Sequence, residues 1–209
     1  MRVTKYPQSC LLVEVGDQRL LIDPGVFLSA RVDLDELGHL DAVLVTHRHA
    51  DHLDPALLTP LRERGIPLYG NADVLALTGP EGAHEVGSGR PFTVGDVEVV
   101  PHDLDHVVLV DGSPGPPNTG FLIDATLFHP GDGIELTGVT APVLATPIAG
   151  PSISFHRAYR FVQQLGARTI VPIHYAMFVV DPHHFARVCD LAEVVVLDDG
   201  ASVEVGSGR

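Results

Sequence analysis

A run of four potential metal ligands within six residues restricts the possible folds of this chain more than any other feature. The run is His47-Arg48-His49-Ala50-Asp51-His52, and it begins one residue after the apolar strand Ala42-Val43-Leu44-Val45. Pro55 and the apolar spacing after it predict a helix that closes near Gly65, so the run occupies a strand-to-helix loop. The first two histidines can bind one cation, while the aspartate and the last histidine can face a second. The loop therefore predicts a paired metal site.

Short strands and helices fill the rest of the chain. Further strands are predicted at 11–15, 20–22, 91–94, 97–100, 107–110, 120–123, 126–128, 143–145, 169–173, 194–197 and 202–205. Helices are predicted around 72–77, from Ser154 to Leu165 before Gly166, and from Asp181-Pro182 to about Leu191. Asp198-Asp199-Gly200 is interpreted as a hairpin turn. Two halves of this kind, each a sheet with helices on its outer face, would pack as an α/β (α+β) four-layer αββα sandwich.

Length and charge limit the domain count and the partners. With 209 residues and 45% hydrophobic content, the chain is expected to form a single domain over residues 1–209. The Pro- and Gly-rich segment 113–118 is interpreted as a loop, because strand-like sequence follows it at once. A formal net charge of -14 leaves no basic stripe for a polyanion, so no nucleic-acid partner is expected. A small-molecule substrate is expected, and assembly into a homo-oligomer is left open.

The cysteines and the N-terminus predict a cytoplasmic protein without a membrane partner. Cys10 and Cys189 lie far apart in apolar stretches, which favours buried reduced thiols over a disulfide. The first five residues enter strand-like sequence without the features of a signal peptide. No apolar run approaches the roughly 20 residues that a membrane helix needs.

The run at 47–52 resembles the His-x-His-x-Asp-His signature of the metallo-β-lactamase superfamily, and the resemblance extends over most of the chain. It implies the metallo-β-lactamase fold. Within the superfamily, Phe128-His129-Pro130-Gly131-Asp132 and Pro172-Ile173-His174-Tyr175 are most similar to the compact group of ascorbate-6-phosphate lactonase and related uncharacterised metal-dependent hydrolases. The resemblance implies one metal held by His47, His49 and His106, a second held by Asp51, His52 and His174, and Asp132 as the bridge. Asp23 would orient a histidine or the loop.

Such a site predicts hydrolysis by a metal-bound hydroxide, because two cations that share a water lower its pKa towards 7. Asp51 and Asp132 are the candidate catalytic carboxylates, with Asp51 as a proton carrier. Ligands of His and Asp without a thiolate favour two Zn²⁺ ions, and Mn²⁺ or Fe²⁺ is compatible with the same set. The substrate is expected to be a small ester, lactone or amide, which could carry a phosphate. The alternatives are a phosphodiesterase for a small molecule or phospholipid head group, and a metal-binding domain without turnover.

Two histidines compete for the third ligand position of the first metal. In Pro101-His102-Asp103-Leu104-Asp105-His106, alternation along one strand would point both imidazoles to the same face, so the residues alone do not separate them. The order of motifs in the related hydrolases favours His106 and makes His102 a group at the rim or behind the ligands. Among the other conspicuous residues, His129 is not expected to be a metal ligand. Arg157 is either an anion-binding group or part of a solvated helix face, and Tyr175 either donates to substrate or caps a strand.

Overall fold

In the computed structural model, which describes residues 1–206, fourteen strands form two sheets of seven. The first sheet contains β1 (Arg2–Lys5), β2 (Leu11–Val15), β3 (Gln18–Ile22), β4 (Ala42–Val45), β5 (Leu68–Gly70), β6 (Ala83–Glu85) and β14 (Ser202–Glu204) in the order β14-β1-β2-β3-β4-β5-β6. The second contains β7 (Phe92–Val94), β8 (Val97–Asp103), β9 (Thr119–Ile123), β10 (Leu127–His129), β11 (Val143–Pro147), β12 (Thr169–Ile173) and β13 (Glu193–Val194) in the order β13-β12-β11-β10-β9-β8-β7.

The helices cover the outer faces of the two sheets. Those of the described residues are α1 (Val26–Ser29), α2 (Leu58–Glu63), α3 (Ala72–Thr78), α4 (Phe155–Leu165) and α5 (Pro182–Val188), with single 3₁₀ turns at Leu34–Leu37 and Pro55–Leu57. α4 shows why the pattern predicts a helix. Ser154 caps its N-terminus through the Arg157 amide, its buried residues recur at helical spacing, and Gly166 ends it in the left-handed conformation.

Three apolar clusters give the four-layer αββα sandwich that the sequence predicts. The central one joins the facing sides of the two sheets, with Leu20 and Leu44 from the first and Phe121 and Val171 from the second. A second cluster packs α4 and α5 against the second sheet, and a third packs α1, α2 and α3 against the first. The expected α/β fold with two packed sheets is therefore confirmed.

Strand direction brings the candidate ligands to one edge of this sandwich. β3, β4 and β5 are parallel, as are β10, β11 and β12. Asp23 follows β3, the run 47–52 follows β4, Asp132 follows β10 and His174 follows β12. Because the carboxyl ends of parallel strands share one edge of a sheet, these loops converge where the two sheets meet.

Two of the predicted elements are wrong. Residues 107–110 form no strand: after the bridge between His106 and Gly133 the chain turns into solvent, where Val110 is 89% exposed. The prolines that follow lack the N–H groups that a paired strand would need. Asp198-Asp199-Gly200 is a turn but not a hairpin, because β13 lies in the second sheet and β14 returns to the first, beside β1. Several other elements keep their predicted position but change their length, such as α5, which ends at Val188.

The two cysteines have the buried positions that the sequence predicts. Among residues 1–206, Cys10 and Cys189 are both buried and free. No helix in this part of the chain combines the length and the apolar character that crossing a bilayer requires.

Candidate metal centre

Seven candidate ligands meet at the converging loops in two adjacent groups. In each group the ligand atoms lie within 4.8 Å of one another. The first group is His47, His49, His106 and Asp132, and the second is Asp51, His52 and His174. The structure thus brings together all seven residues that the resemblance implies as ligands, with Asp132 grouped with His47, His49 and His106.

Asp132 lies between the two groups. Its Oδ1 is 3.2 Å from His52 Nε2, and its Oδ2 is 3.0 Å from His174 Nε2 and 3.4 Å from His106 Nε2. His47 Nε2 is 4.0 Å from the same Oδ2. One carboxylate therefore faces imidazole nitrogens of both groups, which is the arrangement that a bridging ligand requires.

Asp51 closes the second group on its solvent side. Its Oδ2 is 3.3 Å from His174 Nε2 and 3.6 Å from His52 Nε2. Asp51 and His49 have partly exposed side chains, whereas the side chains of the other five members of the ligand set are buried. The centre therefore opens to solvent beside these two side chains.

The residues fit a pair of divalent cations, and unsatisfied polar atoms are the evidence. His52 Nε2, His106 Nε2 and Asp132 Oδ1 are buried and lack a hydrogen-bond partner among the described residues, because their short mutual distances do not have hydrogen-bond geometry. Leaving such atoms unpaired costs on the order of 1–3 kcal/mol each. Imidazole and carboxylate donors that point at one another suit borderline or hard dications.

The opposite ring nitrogens are held by the protein. His52 Nδ1 is 2.7 Å from Asp23 Oδ2, His106 Nδ1 is 2.5 Å from the Val107 carbonyl, and His174 Nδ1 is 2.6 Å from the Ala149 carbonyl. Each acceptor fixes the tautomer in which Nδ1 carries the proton and Nε2 presents its lone pair to the centre. The expectation that Asp23 orients a histidine is confirmed.

The loops are fixed by backbone contacts around the ligand run. Asp23 accepts hydrogen bonds from the Thr46 amide and hydroxyl, both at 2.8 Å. Gly25 packs so closely on this loop that a Cβ atom there would lie 2.1 Å from the Asp51 carbonyl carbon. Asp23 and His174 both adopt positive φ, at 50° and 61°. Strain of this kind in residues with side chains is typical of functional sites, where surrounding contacts compensate for it.

In the metal-free centre, the pKa values of some candidate ligands are lowered and those of others are raised. Burial lowers the pKa of His47 and His49, and neighbouring imidazoles lower it further. Burial acts in the same direction on His174, but the Asp132 and Asp51 carboxylates outweigh it and raise the pKa to about 10. Asp132 and Asp23 likewise raise the pKa of His52 against the effect of burial. Although burial disfavours the Asp51 carboxylate, the His174 hydrogen bond and the His52 charge lower its pKa to about 2.

An open cleft of about 1140 Å³ borders the centre at His106. Its other walls come from the Pro-rich segment 114–119, the segments 71–73 and 85–90, and the residues around Glu135. Several carboxylates line it, among them Asp73, Glu85 and Asp105, and Arg90 is its one Lys or Arg among the described residues. Of the seven candidate ligands, His106 is the one in its lining, so the cleft meets the centre at the first ligand group.

The structure also places the residues that the sequence left open. His102 lies outside both groups, with its ring edge towards Phe128 at a centroid distance of 5.9 Å. His129 is satisfied by backbone, since its Nε2 is 2.8 Å from the Ser9 carbonyl. Arg157 is paired with Glu135 at 3.0 Å. The Tyr175 ring packs under the buried Lys5 ammonium, 4.9 Å from its centroid, and this is neither of the two roles considered for it.

Two supporting residues carry no sequence signal of their own. Gln8 donates through Nε2 to Asp51 Oδ2 at 3.1 Å, and the Asn118 carboxamide accepts from the Asp132 amide at 3.3 Å. Gln8 is an isolated amide in the connection between β1 and β2, far from every ligand in sequence. Only the position of Asn118 in a Pro-rich loop before the Asp132 motif points towards the site.

The comparisons with known proteins agree with this geometry. Residues 2–174 match the family model described as the beta-lactamase superfamily domain. The chain is 34% identical over 201 residues to protein Rv0786c of Mycobacterium tuberculosis, covering 91% of this chain and 92% of that protein. It is 25% identical to a UPF0173 metal-dependent hydrolase of Alkaliphilus metalliredigens, covering 95% and 97%. The structure of Igni18, a metallo hydrolase from Ignicoccus hospitalis, superimposes with a TM-score of 0.79 at 24% identity and covers 97% of each chain.

Proposed function

We propose that this chain, which belongs to the beta-lactamase superfamily, binds two divalent cations, zinc above all, and hydrolyses a small carboxylic ester, lactone or amide. The chain is a metal-dependent hydrolase of that superfamily with a cluster of His and Asp ligands. The names of the similar proteins described above specify no substrate, so the substrate class rests on the site. The observation that carries the proposal is the position of Asp132 between two groups of inward-facing ligand atoms.

The chain's own residues define the rest of the reaction. Bound dications would supply a water of lowered pKa and polarise the scissile carbonyl. His47, His49 and His106 would hold one cation, Asp51, His52 and His174 the other, and Asp132 would contact both. Hydrolysis adds the hydroxyl of water to the carbonyl carbon, breaks the bond to the leaving group and gives that group a proton. Asp51 is the proposed proton carrier, because its carboxylate lies beside the ligands of the second group at the solvent opening.

Charge favours an acyl substrate over a phosphodiester. Every arginine near the cleft is already paired with a carboxylate: Arg48 with Asp73 at 3.2 Å, Arg90 with Glu85 at 3.5 Å and Arg157 with Glu135 at 3.0 Å. A phosphate group would meet further carboxylates in the cleft wall without a free cation among the described side chains to bind it. A neutral acyl group carries no charge for these carboxylates to repel. These pairs also argue against a phosphorylated substrate.

A substrate panel tests the proposal. The zinc-loaded protein is assayed on chromogenic esters, lactones, amides and a bis-phosphodiester, with and without chelator. Turnover of a carboxylic substrate should exceed that of the phosphodiester and should disappear with chelator. Asp132→Ala should lower it on the order of 100-fold or more because both cations lose a ligand. The control Asp96→Ala changes an exposed carboxylate in the β7–β8 turn and should leave it unchanged.

Each other result has a definite meaning. Faster hydrolysis of the phosphodiester than of the carboxylic substrates would favour a phosphodiesterase over the proposed hydrolase of esters, lactones or amides. Absence of chelator-sensitive turnover on the whole panel would favour a domain that binds metal without turnover.

A further inference from the structure

Gln8 occupies an unusual position beneath the second ligand group. It lies in the connection between β1 and β2, is fully buried, and adopts a φ of 64° although it is not glycine. A buried residue in the left-handed region persists only where surrounding contacts compensate for the strain. The contacts of Gln8 therefore indicate what holds it there.

Those contacts join two loops that carry ligands of the second group. The side-chain Nε2 donates to Asp51 Oδ2 at 3.1 Å, and Oε1 accepts from the Met177 amide at 3.2 Å. The Gln8 carbonyl accepts from the amide of His174 itself at 2.9 Å. The carboxylate of Asp51 is thereby connected, through one side chain, to the loop that presents His174.

The chemistry of the carboxamide suits the support of a ligand. Among the described residues, Gln8 donates a hydrogen bond to the Asp51 carboxylate and is not a candidate metal ligand itself. An ionised carboxylate oxygen can accept more than one partner, so a donor and a cation can share Oδ2. Because the carboxamide is neutral, it orients Asp51 without cancelling the negative charge that attracts the cation. A lysine or arginine at this position would compete with that cation.

The next residue connects the same segment to the loop before Asp132. The Ser9 carbonyl accepts from His129 Nε2 at 2.8 Å, and His129 Nδ1 accepts from the Gly131 amide at 3.2 Å. The β1–β2 connection thus contacts three of the segments that carry ligands.

We infer that Gln8 is a positioning residue that fixes Asp51 against His174 and so sets the affinity of the second cation position. The inference rests on the proposed two-cation site. The inference predicts that a substitution of Gln8 weakens cation binding at the second ligand group and not at the first. The reason is that no contact of the Gln8 side chain reaches His47, His49 or His106 in the described structure.

Metal binding to the whole protein tests this without using activity. Zinc is titrated calorimetrically into metal-free wild type, Gln8→Met and Gln8→Ala, and Co²⁺ absorption reports the ligand geometry of each position. Methionine keeps much of the side-chain volume, so it guards against loss of packing in the alanine variant. The control Gln163→Ala alters an exposed glutamine on α4. The equivalent whose Co²⁺ spectrum reports the second ligand group, here called the second equivalent, should bind roughly 10- to 100-fold more weakly in both Gln8 variants, and the other equivalent should stay within about twofold.

A double variant shows whether Gln8 acts through Asp51. If it does, Gln8→Met should weaken the second equivalent no further in an Asp51→Asn background, within about threefold. Full additivity, equal weakening of both equivalents, or unchanged affinity in Gln8→Met would each overturn the inference. A wild type that binds fewer than two cations would instead overturn the proposed two-cation site, so the two failures are distinguishable.

Discussion

At the residue scale, the histidines of the metal centre divide into two electrostatic classes. The pKa values of His47 and His49 are lowered, so these rings are neutral and ready to bind metal at neutral pH. His52 and His174 face carboxylates, and their pKa values are raised, to about 10 for His174. In the metal-free protein these two imidazolium groups stand where the second cation is proposed to bind.

This division predicts proton release on metal binding. A ligating imidazole must be neutral, so at pH 7 the second equivalent should displace about two protons from His52 and His174, and ionisation of bound water would add to that number. Calorimetric zinc titrations in buffers of different ionisation enthalpy measure it. An observed enthalpy that does not depend on the buffer would contradict the assignment.

The same groups fix the sign of the pH dependence of folding in the metal-free state. A raised histidine pKa contributes stability that is complete below the ordinary value of 6.5 and is lost as pH rises through the folded value, about 10 for His174. The depressed pKa of Asp51 contributes stability that is lost only as pH falls through about 2. Raising the pH above neutrality therefore removes the contribution of these histidines to the stability of the metal-free protein.

At the scale of elements, the connection between β13 and β14 is attached to the first strand by a buried charge. Lys5, at the end of β1, is 1% exposed, and its ammonium lies 2.9 Å from Asp199 and 3.1 Å from the Tyr6 carbonyl. Asp199 also pairs with Arg31 at 2.9 Å. The turn that the sequence suggests as a hairpin instead supplies the counter-charge of a core lysine.

Asp199→Ala should therefore destabilise the protein. The substitution leaves the Lys5 ammonium without its carboxylate, and we expect the free energy of unfolding to fall by about 1–3 kcal/mol. Urea unfolding of the metal-free protein measures this. Asp198→Ala is the control, since its side chain is exposed, and it should change stability by less than about 0.5 kcal/mol. Equal effects of the two substitutions would show that Lys5 does not depend on this partner.

Elements with a complete local signal could be predicted from the sequence. β12 agrees at both ends, and α4 carries its cap, its apolar spacing and its terminal glycine within one segment. The segment 107–110 lacks a partner strand, and apolar content alone does not reveal that. β14 pairs Ser202 with Thr4 across almost the whole chain, and no local pattern encodes that register.

The same distinction applies to the candidate site. The run at 47–52 has recognisable spacing in the sequence, and the resemblance implies His106, Asp132 and His174 as further ligands. The structure brings these residues together in two groups. Gln8 and Asn118 reach the centre only through the packing of distant loops, so spacing could not identify them. Asp23 lies between these cases, because it follows a predicted strand but meets His52 only in the fold.

At the scale of the whole molecule, the two sheets place a buried cluster of charge at their common edge. Strands of both sheets end there, and loops from each sheet contribute ligands. The surrounding protein is acidic, with a formal net charge of -14, and the charged residues that line the cleft beside the centre are five carboxylates and one arginine. Dications would offset part of this negative charge, a role that the protonated His52 and His174 have in the metal-free centre.

The most direct test of the central claim is the number of zinc ions that one chain retains. Metal-free protein is saturated with zinc, passed through a desalting column and analysed for zinc and protein together. Two ligand groups that meet at Asp132 predict about two equivalents per chain. Retention of one equivalent or none would contradict a two-cation centre.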